Sequence, residues 1–160
     1  MDWRLTLAVE ENKVDEVEAL LNAGASPDAC NVHGHPVLVT ACDEGLNSIV
    51  QHLLQKGANV NKADSIGFTA LMCAASRGDD SLIVMLLSAN ADGNLKDVLH
   101  GMTALHYAAL HNQSKVVRIL LENGCDSNIK DNVDVAVDSQ FALIVAYVSI
   151  SILAYISTKK

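Results

Sequence analysis

The amino-acid sequence predicts an all-α solenoid of about four stacked helix–turn–helix repeats, and three observations carry that prediction. One phrase recurs as Gly34-His35-Pro36-Val37-Leu38, Gly67-Phe68-Thr69-Ala70-Leu71 and Gly101-Met102-Thr103-Ala104-Leu105, spaced by 33 and then 34 residues. Each phrase leads to a small pair: Ala41-Cys42, Ala74-Ala75 and Ala108-Ala109. Each then reaches a doubled apolar pattern: Ile49-Val50 with Leu53-Leu54, Leu82-Ile83 with Leu86-Leu87, and Val116-Val117 with Leu120-Leu121. A period of this length marks an array in which each unit buries its apolar face only against its neighbours.

The elements follow in order. The first unit lacks the opening phrase and begins directly at a helix. Leu38–Glu44, Leu71–Arg77 and Leu105–His111 are short and small-residue-rich, so they read as first helices that a neighbour can approach closely. Segments such as Ser48–Gln55 place apolar residues at i, i+1, i+4 and i+5, the broad stripe of a second helix. Gly24, Gly57 and Gly124 follow those helices, where a left-handed residue closes the C-terminus, and Asn90 takes that place in the third unit. Thr69 and Thr103 stand where a hydroxyl caps the first helix; Pro36 leaves the second unit without that cap, worth about 1 kcal/mol. The expected units are 2–30, 31–63, 64–96 and 97–130, in one elongated array over 1–132. The extra residue in Val98-Leu99-His100 is expected in an exposed turn, where insertions cost little.

Thr103-Ala104-Leu105-His106-Tyr107-Ala108-Ala109 resembles the signature of the ankyrin repeat, with Ala104 where that family usually has Pro. The endings Leu53-Leu54-Gln55-Lys56-Gly57-Ala58-Asn59-Val60-Asn61 and Leu120-Leu121-Glu122-Asn123-Gly124-Cys125-Asp126-Ser127-Asn128 agree, as does Leu20-Leu21-Asn22-Ala23-Gly24-Ala25-Ser26-Pro27-Asp28. The resemblance covers residues 4–130. It implies an ankyrin-type solenoid with short β-hairpin-like loops, and a non-catalytic protein-interaction module, a scaffold or adaptor without a cofactor. It implies a structural hydrogen bond from His106 to neighbouring loop backbone. It also marks Asn61, Asn94 and Asn128 as candidates for hydroxylation, beside their expected role in bonding the turn backbone.

The resemblance further implies that a protein partner meets the loop tips and the exposed side of the first helices. Register places the tips at Val32, His33 and His35; at Ser65, Ile66 and Phe68; and at Val98, Leu99, His100 and Met102. The helix positions are Glu10 and Glu11, Asp43 and Glu44, Ser76 and Arg77, and Leu110 and His111. This surface is acidic across the first two units and apolar across the last two, which suits a partner with a basic end and an apolar end. Two readings of Ile66, Phe68, Leu99 and Met102 stand open: packing of loop on loop, or an exposed apolar patch of the kind that marks interfaces.

Composition narrows the classes. Net charge is −8, with Asp2, Glu10, Glu11, Asp15, Glu16 and Glu18 crowding the N-terminal end. Those acids either keep the array soluble or attract a basic partner. No Lys/Arg cluster appears, so a nucleic-acid partner is not expected. Cys30, Cys42, Cys73 and Cys125 have no C-x-x-C spacing and read as small hydrophobes in a reducing compartment, cytoplasmic or nuclear. No signal peptide is visible, because charges interrupt every early apolar run. His33 and His35 share a tip without a third ligand nearby, so no metal site is expected. A thin array offers a groove in place of a catalytic pocket, so neither an enzyme nor a small-molecule substrate is expected.

Residues 133–160 depart from the pattern. An uncharged run from Ser139 to Thr158 precedes Lys159-Lys160. Three readings stand open: an atypical cap on the fourth unit, a C-terminal membrane anchor over 139–158, or a truncation product whose tail has no evolved role. The anchor would make the chain a membrane-attached adaptor, the alternative to the free interaction module.

Overall fold

The computed structural model describes residues 2–132, which form eight helices. These are α1 (Asp2–Glu10), α2 (Val14–Asn22), α3 (Val37–Asp43), α4 (Asn47–Gln55), α5 (Ala70–Arg77), α6 (Asp80–Ser88), α7 (Ala104–Leu110) and α8 (Ser114–Glu122). They pair in sequence. The first helices α1, α3, α5 and α7 pack in one row, and the second helices α2, α4, α6 and α8 in another. The described residues contain no strand. Isolated antiparallel bridges, Cys30 with Pro36 and Ala63 with Thr69, close two of the loops between pairs.

Composition explains the layering. Ala41, Cys42, Ala74, Ala75 and Ala108 are wholly buried between first helices, where their small side chains admit the neighbouring backbone. The second helices contribute bulk: Ile49, Val50, Leu53, Leu82, Ile83, Leu86 and Leu120 are equally buried. Each such large side chain stabilises the array by about 1.5–3 kcal/mol relative to exposure. The caps fall where expected. Thr69 Oγ1 accepts from Met72 N–H at 3.4 Å, Thr103 and His106 form a reciprocal capping box, and Pro36 supplies no side-chain cap. Asn90 has φ 64°, beside 83° for Gly57, so it closes α6 in the left-handed form expected of it. Asn12 and Asn112 do the same inside the first and last pairs.

A polar ladder joins the pairs along one edge. Asp28 Oδ1 accepts from Asn59 N–H at 2.7 Å, Asn61 Oδ1 from Asp92 N–H at 2.8 Å, and Asn94 Oδ1 from Asp126 N–H at 2.8 Å. Each residue that donates its N–H to a rung in turn accepts, through its side chain, from the N–H two positions on, as Asn59 does from Asn61 at 3.0 Å. In the first pair, Asp2 Oδ1 takes the equivalent Ser26 N–H at 3.1 Å.

The extra residue lies in an exposed turn, with Val98 70% and Leu99 60% accessible. The cap, anchor and no-role readings of 133–160 fall outside the described residues. Among the described residues, no helix is long and apolar enough to cross a membrane.

Candidate interaction surface

Each loop tip is built on one acidic or amide side chain. Asn31 Oδ1 accepts from the N–H groups of His33 and His35, at 3.0 and 3.1 Å. Asp64 Oδ1 accepts from Ile66 and Phe68, at 3.0 and 2.9 Å. Both therefore clamp the second and fourth residues after themselves with one oxygen. The third tip holds the inserted residue, and its donors move apart. Asp97 Oδ1 takes His100 N–H at 2.7 Å, while Oδ2 takes Met102 N–H at 2.9 Å and the Tyr107 hydroxyl at 3.2 Å. The Asp97 side chain is only 1% exposed, and His100 Nδ1 lies 3.7 Å from Oδ1. The first two tips use one side-chain oxygen, from Asn31 or Asp64; the third uses both oxygens of a carboxylate.

This construction sorts the expected tip residues. Val32, Val98 and Leu99 are well exposed, and Ile66 is exposed to 40%. His33, His35, Ser65 and His100 are exposed beside them. Val98 N–H donates to Ile66 O at 2.8 Å, so the second and third tips are joined backbone to backbone. Met102 corrects the expectation: it is 3% exposed, its N–H held by the buried Asp97 carboxylate beneath the tip. Phe68 is half-buried, its ring edge-on to Tyr107 at 5.0 Å and 87°. The apolar residues thus divide, Phe68 and Met102 packing inward and Ile66 and Leu99 facing out.

The first-helix row keeps its grading. Glu10, Glu11, Asp43 and Glu44 are exposed; Ser76 and Leu110 are half-buried; Arg77 and His111 are exposed. Several are already engaged within the chain. Glu10 Oε1 accepts from Asn31 Nδ2 at 3.3 Å, and Glu11 pairs with Lys13 at 2.5 Å. That bond to Glu11 pushes the Lys13 ammonium pKa up. Arg77 crosses Gly45 to donate to the Asp43 carbonyl, capping α3 from the next pair. Gln113 crosses Gly78 and donates to Ser76 O at 3.4 Å in the same manner.

The remaining candidate groups serve the scaffold. His106 Nδ1 accepts from Thr103 N–H at 3.1 Å, and a backbone hydrogen bond ties the ring to Ile129. Burial lowers its pKa, so the ring is neutral at pH 7. Burial raises the Cys42 thiol to about 12, and raises Cys73 and Cys125 as well, so all three stay protonated and poorly nucleophilic. Burial and then the Asp97 charge raise Tyr107 to about 12. Asn61 and Asn94 are exposed, with their amide oxygens held in the ladder; Asn128 donates to Asp126 Oδ1 within its own turn at 3.2 Å. Among the described residues, no group of three or more His, Cys, Asp and Glu could hold a metal ion.

Sequence reasoning missed Asp97, Tyr107 and the ladder. The signal for Asp97 was present: Asn31, Asp64 and Asp97 share one register, and the added residue follows the last of them. It also missed Trp3 and Leu7, exposed to 68% and 45% on α1.

A family model described as ankyrin repeats (3 copies) matches residues 5–97 and, in a second placement, residues 48–131. No curated protein matches the sequence.

Proposed function

The chain belongs to the ankyrin-repeat family, and from that premise we propose that it is a non-catalytic scaffold or adaptor whose loop tips and first-helix row bind one protein partner. Ankyrin repeats are generally protein-interaction modules, and the family is typically non-catalytic. The observation that carries the finer reading is the row of exposed aliphatic tips, Val32, Ile66, Val98 and Leu99, beside exposed Glu10, Glu11, Asp43 and Glu44. Aliphatic side chains at the ends of clamped loops do nothing for solubility, and their burial in a complex would recover about 25 cal/mol per Å². The neighbouring acids favour a partner with basic surface and disfavour nucleic acid. Four free cysteines support a reducing compartment, cytoplasmic or nuclear.

The experiment is affinity capture with the full chain, followed by rebinding of the purified partner in calorimetry. A stoichiometric complex weakened by Leu99→Ser and by neutralising Asp43 and Glu44 supports this reading. A purified partner that binds equally well after both changes would overturn the surface. Failure to obtain any saturable protein complex would overturn the function.

A further inference from the structure

We infer that a second copy of this chain docks on the outer face of the second-helix row, in a two-fold dimer that sets α2 of each copy against α8 of the other. This face is separate from the loop tips and first helices of the proposed partner surface.

The face is graded in charge. The helices α2, α4, α6 and α8 pack in that order and have nine residues each, so equal positions are equivalent along the row. The second and fifth positions lie three apart and share one side of a helix. The second positions are Asp15, Ser48, Ser81 and Lys115; the fifth are Glu18, Gln51, Val84 and Arg118. All of them are exposed. At these positions the row is acidic at one end, basic at the other and uncharged between. Val84 stands in the uncharged centre, 52% exposed, where burial against a partner is favourable.

Charge selects both the occupant and its orientation. A two-fold axis parallel to the helices, between α4 and α6, lays α2 on the other copy's α8 and α4 on its α6. Asp15 then meets Lys115 of the other copy, and Glu18 meets Arg118, each pair formed twice. The other charges on and beside these helices raise no conflict. Glu122 falls opposite Asn22, Asp80 opposite Asn47, Lys13 opposite Gln113 and Lys56 opposite Ala89. Glu16 is engaged within its own chain by Arg4 and Lys13, at 3.3 and 4.0 Å. Lys115 touches Asp80 of its own chain, yet its side chain stays 75% accessible and open to a second carboxylate. An axis along the row would instead oppose Asp15 and Glu18 with their own counterparts, which repel.

The area sets the strength. A nine-residue helix is about 13 Å long, and four helices at 8–10 Å spacing span roughly 35–40 Å. Each copy therefore offers about 500 Å², the lower limit for a specific interface. The dimer should be reversible, with Kd on the order of 10–100 µM.

The test is sedimentation equilibrium of the full chain and of charge-swapped chains. The native chain should form a dimer and nothing larger, weaker at physiological than at low salt. Asp15→Lys with Glu18→Arg makes both end helices basic; Lys115→Asp with Arg118→Glu makes both acidic. Each variant should be monomeric, with little change in urea midpoint, since all four sites are exposed. Mixing the two should restore a one-to-one heterodimer, and a chain carrying all four changes should dimerise again, rescues that misfolded variants could not give. A native chain monomeric up to about 1 mM, growth beyond the dimer, a dimer indifferent to the swaps, or a mixture that stays monomeric would overturn the inference.

Discussion

Cys125 of the last helix pair fills the space that Gly93 leaves in the turn before it. A Cβ built on Gly93 would stand 2.1 Å from Cys125 Sγ. The repeat elsewhere has Ala at the Cys125 position, as Ala58 and Ala91 show, and a larger residue at the Gly93 position, as Val60 and Pro27 show. Volume has been moved from one side of the contact to the other, which close packing tolerates only when both changes occur together.

Gly93→Ala alone is therefore expected to cost about 1–3 kcal/mol, the range for overpacking. With Cys125→Ala as well, the Sγ clash disappears and a 3.3 Å contact to the Cβ remains, which the lost freedom of the unfolded chain, about 0.4–1 kcal/mol in favour of Ala, offsets in part. Urea melts of both single variants and the double variant measure this. The contact does not set the turn if Gly93→Ala proves harmless beside a native Cys125.

The ladder gives three equivalent asparagines unequal tasks. Asn61 and Asn94 each hold the backbone of the next pair, whereas among the described residues Asn128 bonds within its own turn. Asn61→Ala or Asn94→Ala should each cost about 0.5–1.5 kcal/mol, one net hydrogen bond. Asn128→Ala should cost less than either. Equal losses at all three positions would mean that the turns, not the rungs between pairs, carry the stabilisation.

That inequality shows where the sequence could be read and where it could not. Helices, caps and the left-handed Asn90 follow from local spacing and were legible, because each depends on residues within one turn. The ladder and the Asp97 clamp join residues that are distant in sequence or in separate elements: Asp28 meets Asn59, and Asp97 meets Tyr107. Register alone placed Met102 at an exposed tip. It could not reveal that the end of that loop packs into the interior, since that depends on a clamp to the buried Asp97.

Met102 and Leu99 should consequently behave as opposites. Met102→Ala is expected to lose about 2–5 kcal/mol, as a buried large-to-small change. Phe68→Ala should forfeit its edge-on contact with Tyr107, about 0.5–1.5 kcal/mol beyond the area it buries. Leu99→Ser should stay within about 0.5 kcal/mol of the native chain, as exposed substitutions do. Denaturant melts would decide, and a strongly destabilised Leu99→Ser would mean that the third tip packs on the array.

Stability should fall between neutral and mildly acidic pH because of His106. Its folded pKa lies below the ordinary value of 6.5, with burial as the main cause. As pH drops through 6.5, the unfolded chain binds a proton that the folded ring resists, so the unfolded state gains and stability declines. The decline ends once pH passes below the folded pKa, where both states are protonated. His106→Asn keeps an acceptor for Thr103 N–H without a titrating ring, and its melts should be flatter from pH 7.5 to 5. An equal slope in both proteins would assign the acid sensitivity to another group.

Salt should separate the two halves of the surface. Glu10, Glu11, Asp43 and Glu44 are exposed on adjoining first helices, so their field reaches a basic partner before contact. Association with that partner should slow by about tenfold or more from low to physiological ionic strength, because the screening length shrinks to about 8 Å. Replacing the four acids by their amides should lower the association rate at low salt and remove most of its salt dependence. Dissociation should change little, since rim charges act mainly on encounter. Leu99→Ser should show the reverse pattern in the same stopped-flow experiment: an unchanged salt slope and faster dissociation. Association indifferent to salt in the native chain would remove the acids from recognition and leave the apolar tips to act alone.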